Sequence, residues 1–326
     1  MKRFIKAVGT GPHGSRDLTV DEAHEAAGLI LSGSSTPAQT GALLVAVRTK
    51  GESGEELEGF LRAGRERMKT FSLSDRPPFD GLDIGDPYDG HTRYPGISLP
   101  AALLASKAGL PIVLHGYTDL PAKFGIGHVD LWTALGLSVA THEDAMDRLL
   151  SEGIVCLSQG SLIPEWAKLQ PLRKELGLRT VMNTVEKCFN PLNMRTMAVG
   201  YFHEVLAERL FRILDTAYPS HRIHLIAGSE GSVDLYPHRP TRWNGPRWET
   251  APKTIALPKN LPPLPTLEPD AGSHARFVRE ILSDRSHPHG DLVRHLAAFF
   301  LLMAERHGTI KDALNALSSV KVTLPS

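Results

Sequence analysis

Residues 108–116 read Ala108-Gly109-Leu110-Pro111-Ile112-Val113-Leu114-His115-Gly116. The run Ile112-Val113-Leu114 is apolar and too short for a helix. Gly-Leu-Pro precedes it and His-Gly follows it, so it predicts a buried strand. A helical pattern from Pro100 to Ala108 leads into it. Working outward, Ile154-Val155-Cys156-Leu157 and Ile223-His224-Leu225-Ile226 show the same pattern. Buried strands alternating with helices predict an α/β fold with a mainly parallel central sheet covered by helices. Beyond them, residues 251–268 are rich in Pro and Lys and predict a surface connection, with amphipathic helices following around Gly272 to Leu282 and from Asp291 to Glu305.

Upstream the pattern is helical throughout. Thr19 is placed to cap a helix whose first turn holds Asp21 and Glu22, and Gly33 ends it. Thr36-Pro37 opens a second helix with proline at its first position. Its stretch Gly41-Ala42-Leu43-Leu44-Val45-Ala46-Val47 predicts burial nearly all round. A third helix is expected from Gly54 to Met68, its acids leading its bases as the helix dipole favours. Composition changes at Asp75-Arg76-Pro77-Pro78. The expectation is a smaller all-α domain of residues 1–76, completed by a segment near 165–192, and an α/β domain of residues 77–326. The ligand cleft is expected between them, where such sites are common.

The 326 residues suffice for a sizeable core in this arrangement. Lys plus Arg and Asp plus Glu number 36 each, which argues against a chain that binds polyanions over its whole surface but leaves room for a local basic groove. No apolar run of membrane-spanning length occurs, and the basic start Met1-Lys2-Arg3 lacks the apolar region of a secretion signal. Cys156 and Cys188 sit in apolar surroundings, which suits free thiols in a reducing compartment, so a cytoplasmic protein is expected. The 15 histidines include no His-Glu-x-x-His spacing, and zinc is not expected.

Several stretches together resemble glycosyltransferase family three, which holds anthranilate phosphoribosyltransferase and the pyrimidine nucleoside phosphorylases. They are Leu18-Thr-Val-Asp-Glu-Ala23, Pro37-Ala-Gln-Thr-Gly-Ala42, Arg48-Thr-Lys-Gly51, Ala108 to Gly116, Leu172-Arg173-Lys-Glu-Leu-Gly177-Leu-Arg179-Thr180-Val-Met-Asn183 with Asn190-Pro191, and Gly228-Ser-Glu230-Gly231. Order and spacing hold over nearly the whole chain. The resemblance implies the anthranilate phosphoribosyltransferase / nucleoside phosphorylase type II fold and a homodimer formed through the helical domain.

The family's Gly-Thr-Gly-Gly-Asp turn admits the diphosphate of phosphoribosyl pyrophosphate to bare backbone amides. Here the matching stretch is Asp83-Ile84-Gly85-Asp86-Pro87-Tyr88-Asp89-Gly90, in which Pro87 has no amide to donate and Asp86, Tyr88 and Asp89 add bulk and negative charge. The family's Asn-x-Ser-Thr becomes Gly96-Ile97-Ser98-Leu99, its lysine becomes Leu114, its asparagine Tyr117, and its magnesium-binding Asp-Glu pair Val233-Asp234. A pyrophosphate leaving group needs cationic or metal neutralisation, so standard anthranilate phosphoribosyltransferase activity is not expected. The pattern Gly9-Thr-Gly11-Pro-His13-Gly-Ser-Arg16, Tyr88-x-Gly90-x-x-Arg93 and His115-Gly116-x-x-x-x-Pro121 resembles a divergent bacterial paralogue group whose homodimer binds nucleic acid instead.

The candidate phosphate or ligand contacts are Gly85, Tyr88, Gly90, Arg93, Ser98, His115, Gly116 and Arg173, the last matching the family's anthranilate-carboxylate arginine. Four of them have a plainer reading: Arg93 as a solvated loop residue, His115 as a packed histidine, Ser98 as an N-cap, Arg173 in a surface ion pair. Magnesium is expected only if a phosphosugar binds, with Glu230 and Asp234 supplying carboxylates. The segment Tyr236-Pro-His-Arg239-Pro-Thr-Arg242-Trp243-Asn-Gly-Pro-Arg247-Trp248 combines phosphate-neutralising and base-stacking residues. With Arg16 and Arg93, its Arg239, Arg242, Trp243 and Arg247 are the candidate contacts to single- or double-stranded nucleic acid; a protein interface, or a loop packed down on its own domain, is the rival. The alternative function is a phosphoribosyltransferase with a changed acceptor, and a ligand-free structural dimer is a third.

Overall fold

The computed structural model describes residues 1–11, 13–69 and 77–325. Asp75 and Arg76 of the expected boundary lie outside the described residues. The chain opens with four helices, α1 (Lys2–Gly9), α2 (Val20–Leu31), α3 (Pro37–Lys50) and α4 (Gly54–Arg67). Thr19, Thr36 and Ser53 start α2, α3 and α4 with reciprocal capping boxes, closed by Glu22, Gln39 and Glu56. The helices α2 and α4 pack at Gly59, where a Cβ would lie 2.5 Å from Ala23 Cβ and 2.6 Å from the Val20 carbonyl oxygen. The expected all-round burial of α3 is not observed: Ala42 is exposed and Val45 and Ala46 are half-buried.

The remainder is built on β1 (Phe79–Gly85), α5 (Ser98–Lys107), β2 (Ile112–Gly116), α6 (His128–Ala134), α7 (Ala145–Glu152) and β3 (Ile154–Ser158). Short helices α8 (Gln159–Leu162), α9 (Pro164–Ala167), α10 (Gln170–Leu176) and α11 (Val181–Val185) then cross back, α10 touching α3 and α11 touching both α3 and α4. They are followed by β4 (Met194–Gly200), α12 (Glu204–Ala217), β5 (Arg222–Ile226), β6 (Thr241–Asn244) and β7 (Lys253–Ile255), then α13 (Ala271–Ser283), α14 (Gly290–Met303) and α15 (Ile310–Leu317). One sheet runs β3-β2-β1-β4-β5-β6-β7. Its first five strands are parallel, and β6 and β7 join antiparallel. The small helical layer and the α/β layer with its mostly parallel sheet are the fold class the sequence predicted.

The central strands send alternate residues to two cores. Val113, Met197 and Val199 join the core shared with the helical layer, and Ile112, Leu114 and Ala198 join the core under α5, α13 and α14. Two strands had no reading, and two readings need correction. The strands β1 and β4 lacked a clean apolar run, because Asp80, Gly81, Asp83, Arg195 and Thr196 interrupt them. Residues 241–244, expected in a loop, form β6, and the predicted connection 251–268 contains β7. Both cysteines are free and buried, and no helix among the described residues is long and apolar enough to cross a membrane.

Because Gly59 leaves no room for a methyl group, Gly59→Ala is expected to destabilise the fold by about 1–3 kcal/mol through overpacking. Urea unfolding of both proteins measures this; an unchanged midpoint would show that α2 and α4 separate freely.

Candidate functional site

Polar groups gather at and just beyond the C-terminal ends of the parallel strands, where open α/β sheets place ligand groups. At the end of β1, Gly85 passes so near Lys187 that a Cβ would lie 2.1 Å from the Lys187 carbonyl oxygen. The next residue carries a carboxylate. Asp86 Oδ1 accepts from the Val233 N–H at 2.8 Å, and Oδ2 accepts from Ser98 Oγ at 2.8 Å and lies 3.2 Å from His128 Nε2. Burial opposes the Asp86 charge, but the His128 hydrogen bond and the charges of His128 and His91 outweigh it and hold the carboxyl low. Asp89, also buried, accepts two hydrogen bonds of 2.9 Å from Arg179. Gly90 turns the chain at φ +71°.

A second cluster closes the other side. Glu230 sits at φ +54°, and its carboxylate accepts from Thr92 N–H, Thr92 Oγ1 and Arg93 N–H, the last at 2.9 Å. Lys123 Nζ lies 3.4 Å from it. Asp234 Oδ2 accepts from the Ile97 N–H at 3.0 Å, while Oδ1 is buried without a partner. The His91 ring lies between them, 3.8 Å from Glu230 and 3.5 Å from Asp234. Burial works against the His91 charge, yet Glu230, Asp234 and Asp86 raise its pKa. Glu230 is held well below the usual carboxylate range: partial burial is outweighed by His91, the Arg93 N–H and Lys123. Asp234 is pushed up to about 6, by burial first and by the charge of Asp86. Four backbone N–H groups and the Ser98 hydroxyl thus converge here, each donating to one of the chain's own carboxylates.

The site residues expected from sequence divide sharply. Tyr88 and His115 face the core: the phenol hydroxyl meets His115 Nδ1 at 2.6 Å, and Nε2 meets Asp83 Oδ1 at 3.0 Å. Burial carries the Tyr88 phenol well above its usual range and raises the Asp83 carboxyl against the pull of His115. The His115 ring is therefore consumed by the interior, and Gly116 beside it is buried against Val129. Ser98 is the first residue of α5 rather than its cap, which is Ile97. Arg173 is turned away from solvent. It is 1% exposed and pairs with Glu186, which also accepts from Trp166 Nε1 and Gln159 Nε2.

The basic candidates divide as well. Arg16 pairs with Glu22 through two 2.6 Å contacts, and Arg242 pairs with Glu204. Trp243 is not free to stack on a base: it stacks on His224, donates to its Nδ1 at 3.0 Å and meets Phe299 edge-on. Arg93, Arg239 and Arg247 are exposed, without an acidic partner among the described residues. Arg239 lies 3.7 Å over the Tyr236 ring.

Magnesium does not fit the predicted carboxylates. Glu230 is engaged by three donor groups and Lys123, Asp234 offers one free oxygen, and His91 with Lys123 brings positive charge where a cation would sit. No group of three His, Cys, Asp or Glu among the described residues is placed to hold a metal ion. Sequence reasoning passed over His91, Lys123, His128, Arg179 and the pair Glu186-Lys187. Only the last left a visible signal, an acid and a base inside the apolar stretch Val181–Phe189.

Residues 2–68 match the helical bundle domain of a glycosyl transferase family, and residues 90–323 match its a/b domain. The chain belongs to that family. Within it the chain is anthranilate phosphoribosyltransferase-like: it is 29% identical over 307 residues to anthranilate phosphoribosyltransferase of Thermomicrobium roseum, covering 91% of this chain and 86% of that one. It is 34% identical over 242 residues to an uncharacterized protein of Aquifex aeolicus, covering 74% and 72%. The fold superposes on anthranilate phosphoribosyltransferase of Thermus thermophilus (TM-score 0.77, 23% identity, 97% and 93% covered). It also superposes on the Saccharomyces cerevisiae enzyme in complex with phosphoribosyl pyrophosphate and magnesium (TM-score 0.81, 18% identity, 97% and 92% covered).

In this family member Glu230 ties the turn at 228–234 to Thr92 and Arg93. Its folded pKa lies below the ordinary glutamate value of about 4.3, so its contribution is present above that pH and is lost as pH falls towards the folded value. Glu230→Gln is expected to lower Tm most near pH 7, with the gap to wild type shrinking below about pH 4. Thermal melts from pH 3 to 7 measure this, and a gap independent of pH would refute the assignment.

Proposed function

We propose that this family member does not carry out standard phosphoribosyl transfer and instead binds a phosphate-bearing polymer, nucleic acid, through exposed arginines at the rim of the interdomain cleft. One observation carries the first half: the donors converging on the cleft are satisfied by Asp86, Glu230 and Asp234. A diphosphate would have to displace these carboxylates or lie against their charge, and like charges at close range in a poorly solvated site repel strongly. Leu114 and Val233, at the positions of the family's lysine and first magnesium acid, offer no compensation. Transfer needs extra positive charge as pyrophosphate leaves, and this cleft supplies carboxylates instead.

The nucleic-acid half is supported by where the unpaired arginines hang. Arg93 is attached through its own N–H to Glu230, and Arg239 stacks on Tyr236, whose hydroxyl donates to the Gly228 carbonyl. Both therefore ride on the turn 228–236, with Arg247 in the following loop. With the chain neutral overall, attraction to phosphate is local to this rim. A homodimer through the half-exposed face of α3, at Ala42, Val45 and Ala46, would present two such rims to one duplex or strand.

Fluorescence anisotropy with labelled oligonucleotides at two salt concentrations tests this reading. Binding is expected to weaken with salt, and Arg93→Ala and Arg239→Ala are each expected to reduce the slope of log K against log salt by about one. No binding at low salt, or turnover of phosphoribosyl pyrophosphate with anthranilate, would overturn it.

A further inference from the structure

A second cavity of about 50 Å³ opens between α3, α11, α12 and the chain following β4, with Gly231 of the turn after β5 on its wall. Its depth holds Lys187 and Thr180, 8% and 2% exposed, with Arg179 half-buried above them. At the mouth stand Arg48, His203 and Phe202, all exposed. No Asp or Glu among the described residues lines it. The volume accommodates about three or four waters at one probe sphere each, the size of one tetrahedral oxyanion rather than of a nucleotide.

The buried groups lack the partners their chemistry requires. The Lys187 ammonium donates to the Gly200 carbonyl, and no carboxylate lies within ion-pair distance of it among the described residues. An ammonium has three donors, so two remain. Thr180 Oγ1 is buried with no hydrogen-bond partner. Glu186, next in sequence to Lys187, is committed to Arg173 on the far side of the backbone. A buried cation without a counter-charge is costly and a buried hydroxyl without a partner is rare, so the two together mark a place for an acceptor-rich anion. Burial, which lowers the Lys187 ammonium to about 8, acts in the direction that a bound anion would reverse.

We propose that this cavity is a binding site for a single phosphate group, carried by a phosphomonoester or free in solution. Lys187 and Thr180 contact its oxygens, and exposed Phe202 offers an apolar surface to whatever bears the phosphate; Arg179, bonded to Asp89, and Arg48, 3.5 Å from Glu52, stand at the rim with carboxylate partners of their own. The site does not depend on the nucleic-acid reading, because none of Arg93, Arg239 and Arg247 lines it.

Thermal shift and calorimetric titration of the full chain with inorganic phosphate, against chloride at equal ionic strength, test the proposal. Phosphate is expected to raise Tm, and Lys187→Met or Thr180→Val to weaken its binding about tenfold or more, the usual effect of losing one hydrogen bond to a charged group. Arg48→Gln, at the exposed mouth, is expected to weaken it less and serves if Lys187→Met does not fold. Displacement of phosphate by a 5′-phosphorylated oligonucleotide, but not by its 5′-hydroxyl counterpart, would identify a terminal phosphomonoester as the ligand. Displacement by neither would identify free phosphate. Equal responses to phosphate and chloride in the wild type, or full phosphate binding by Thr180→Val and Arg48→Gln, would overturn the site. Oligonucleotide binding through Arg93 and Arg239 would stand in either case.

Discussion

The carboxylate of Asp86 joins three parts of the chain that are distant in sequence. It accepts from Val233 in the turn after β5 and from Ser98 at the start of α5, and it lies beside His128 at the start of α6. A buried carboxylate without donors is strongly disfavoured, so the loops around β1 can settle only where those donors reach it. Removing one partner of such a buried network typically costs about 3–5 kcal/mol, because the other charge is left uncompensated. Asp234 and Glu230 repeat the device at Ile97, Thr92 and Arg93. The C-terminal edge of the sheet is thereby fastened by acids of the chain itself.

The proposed function follows from that same constraint. Backbone amides that meet at strand ends and helix starts are anion-binding groups wherever they occur. An anion supplied by the chain shields them from an anion supplied by a substrate. The chemistry-bearing residues that survive from the family pattern have meanwhile turned inward. His115 is held between Tyr88 and Asp83, and Arg173 is held by Glu186 beneath Trp166. In the proposed reading, a retained residue type loses its role once a new partner competes for its side chain.

Much of the architecture was legible because it rests on local rules. Thr19 and Thr36 announce helices through capping chemistry that acts over three residues, and the structure closes both boxes. The strands at Ile112, Ile154 and Ile223 announce themselves as short apolar runs. The strands β1 and β4 escaped notice because polar residues and glycine within them are accommodated by neighbours far away in sequence. Gly81, for example, passes the carbonyl of Pro111 with only 2.6 Å left for a Cβ. The hairpin of β6 and β7 escaped for a related reason: its register follows from pairing with β5, and Trp243 is drawn inward by His224 and Phe299.

The sequence by itself determined the family, the order of helices and buried strands, and the loss of the glycine turn, since each lies in composition and spacing along the chain. Tertiary structure alone decided which way the polar side chains face. That choice depends on burial and on partners brought together across more than a hundred residues, as Asp86 meets Val233 and Thr92 meets Glu230. It also decided that Lys187 and Thr180 share one cavity with Arg48. A single sequence carries no record of such distances, because the free energy of a buried charge is set by its surroundings rather than by its neighbours in the chain.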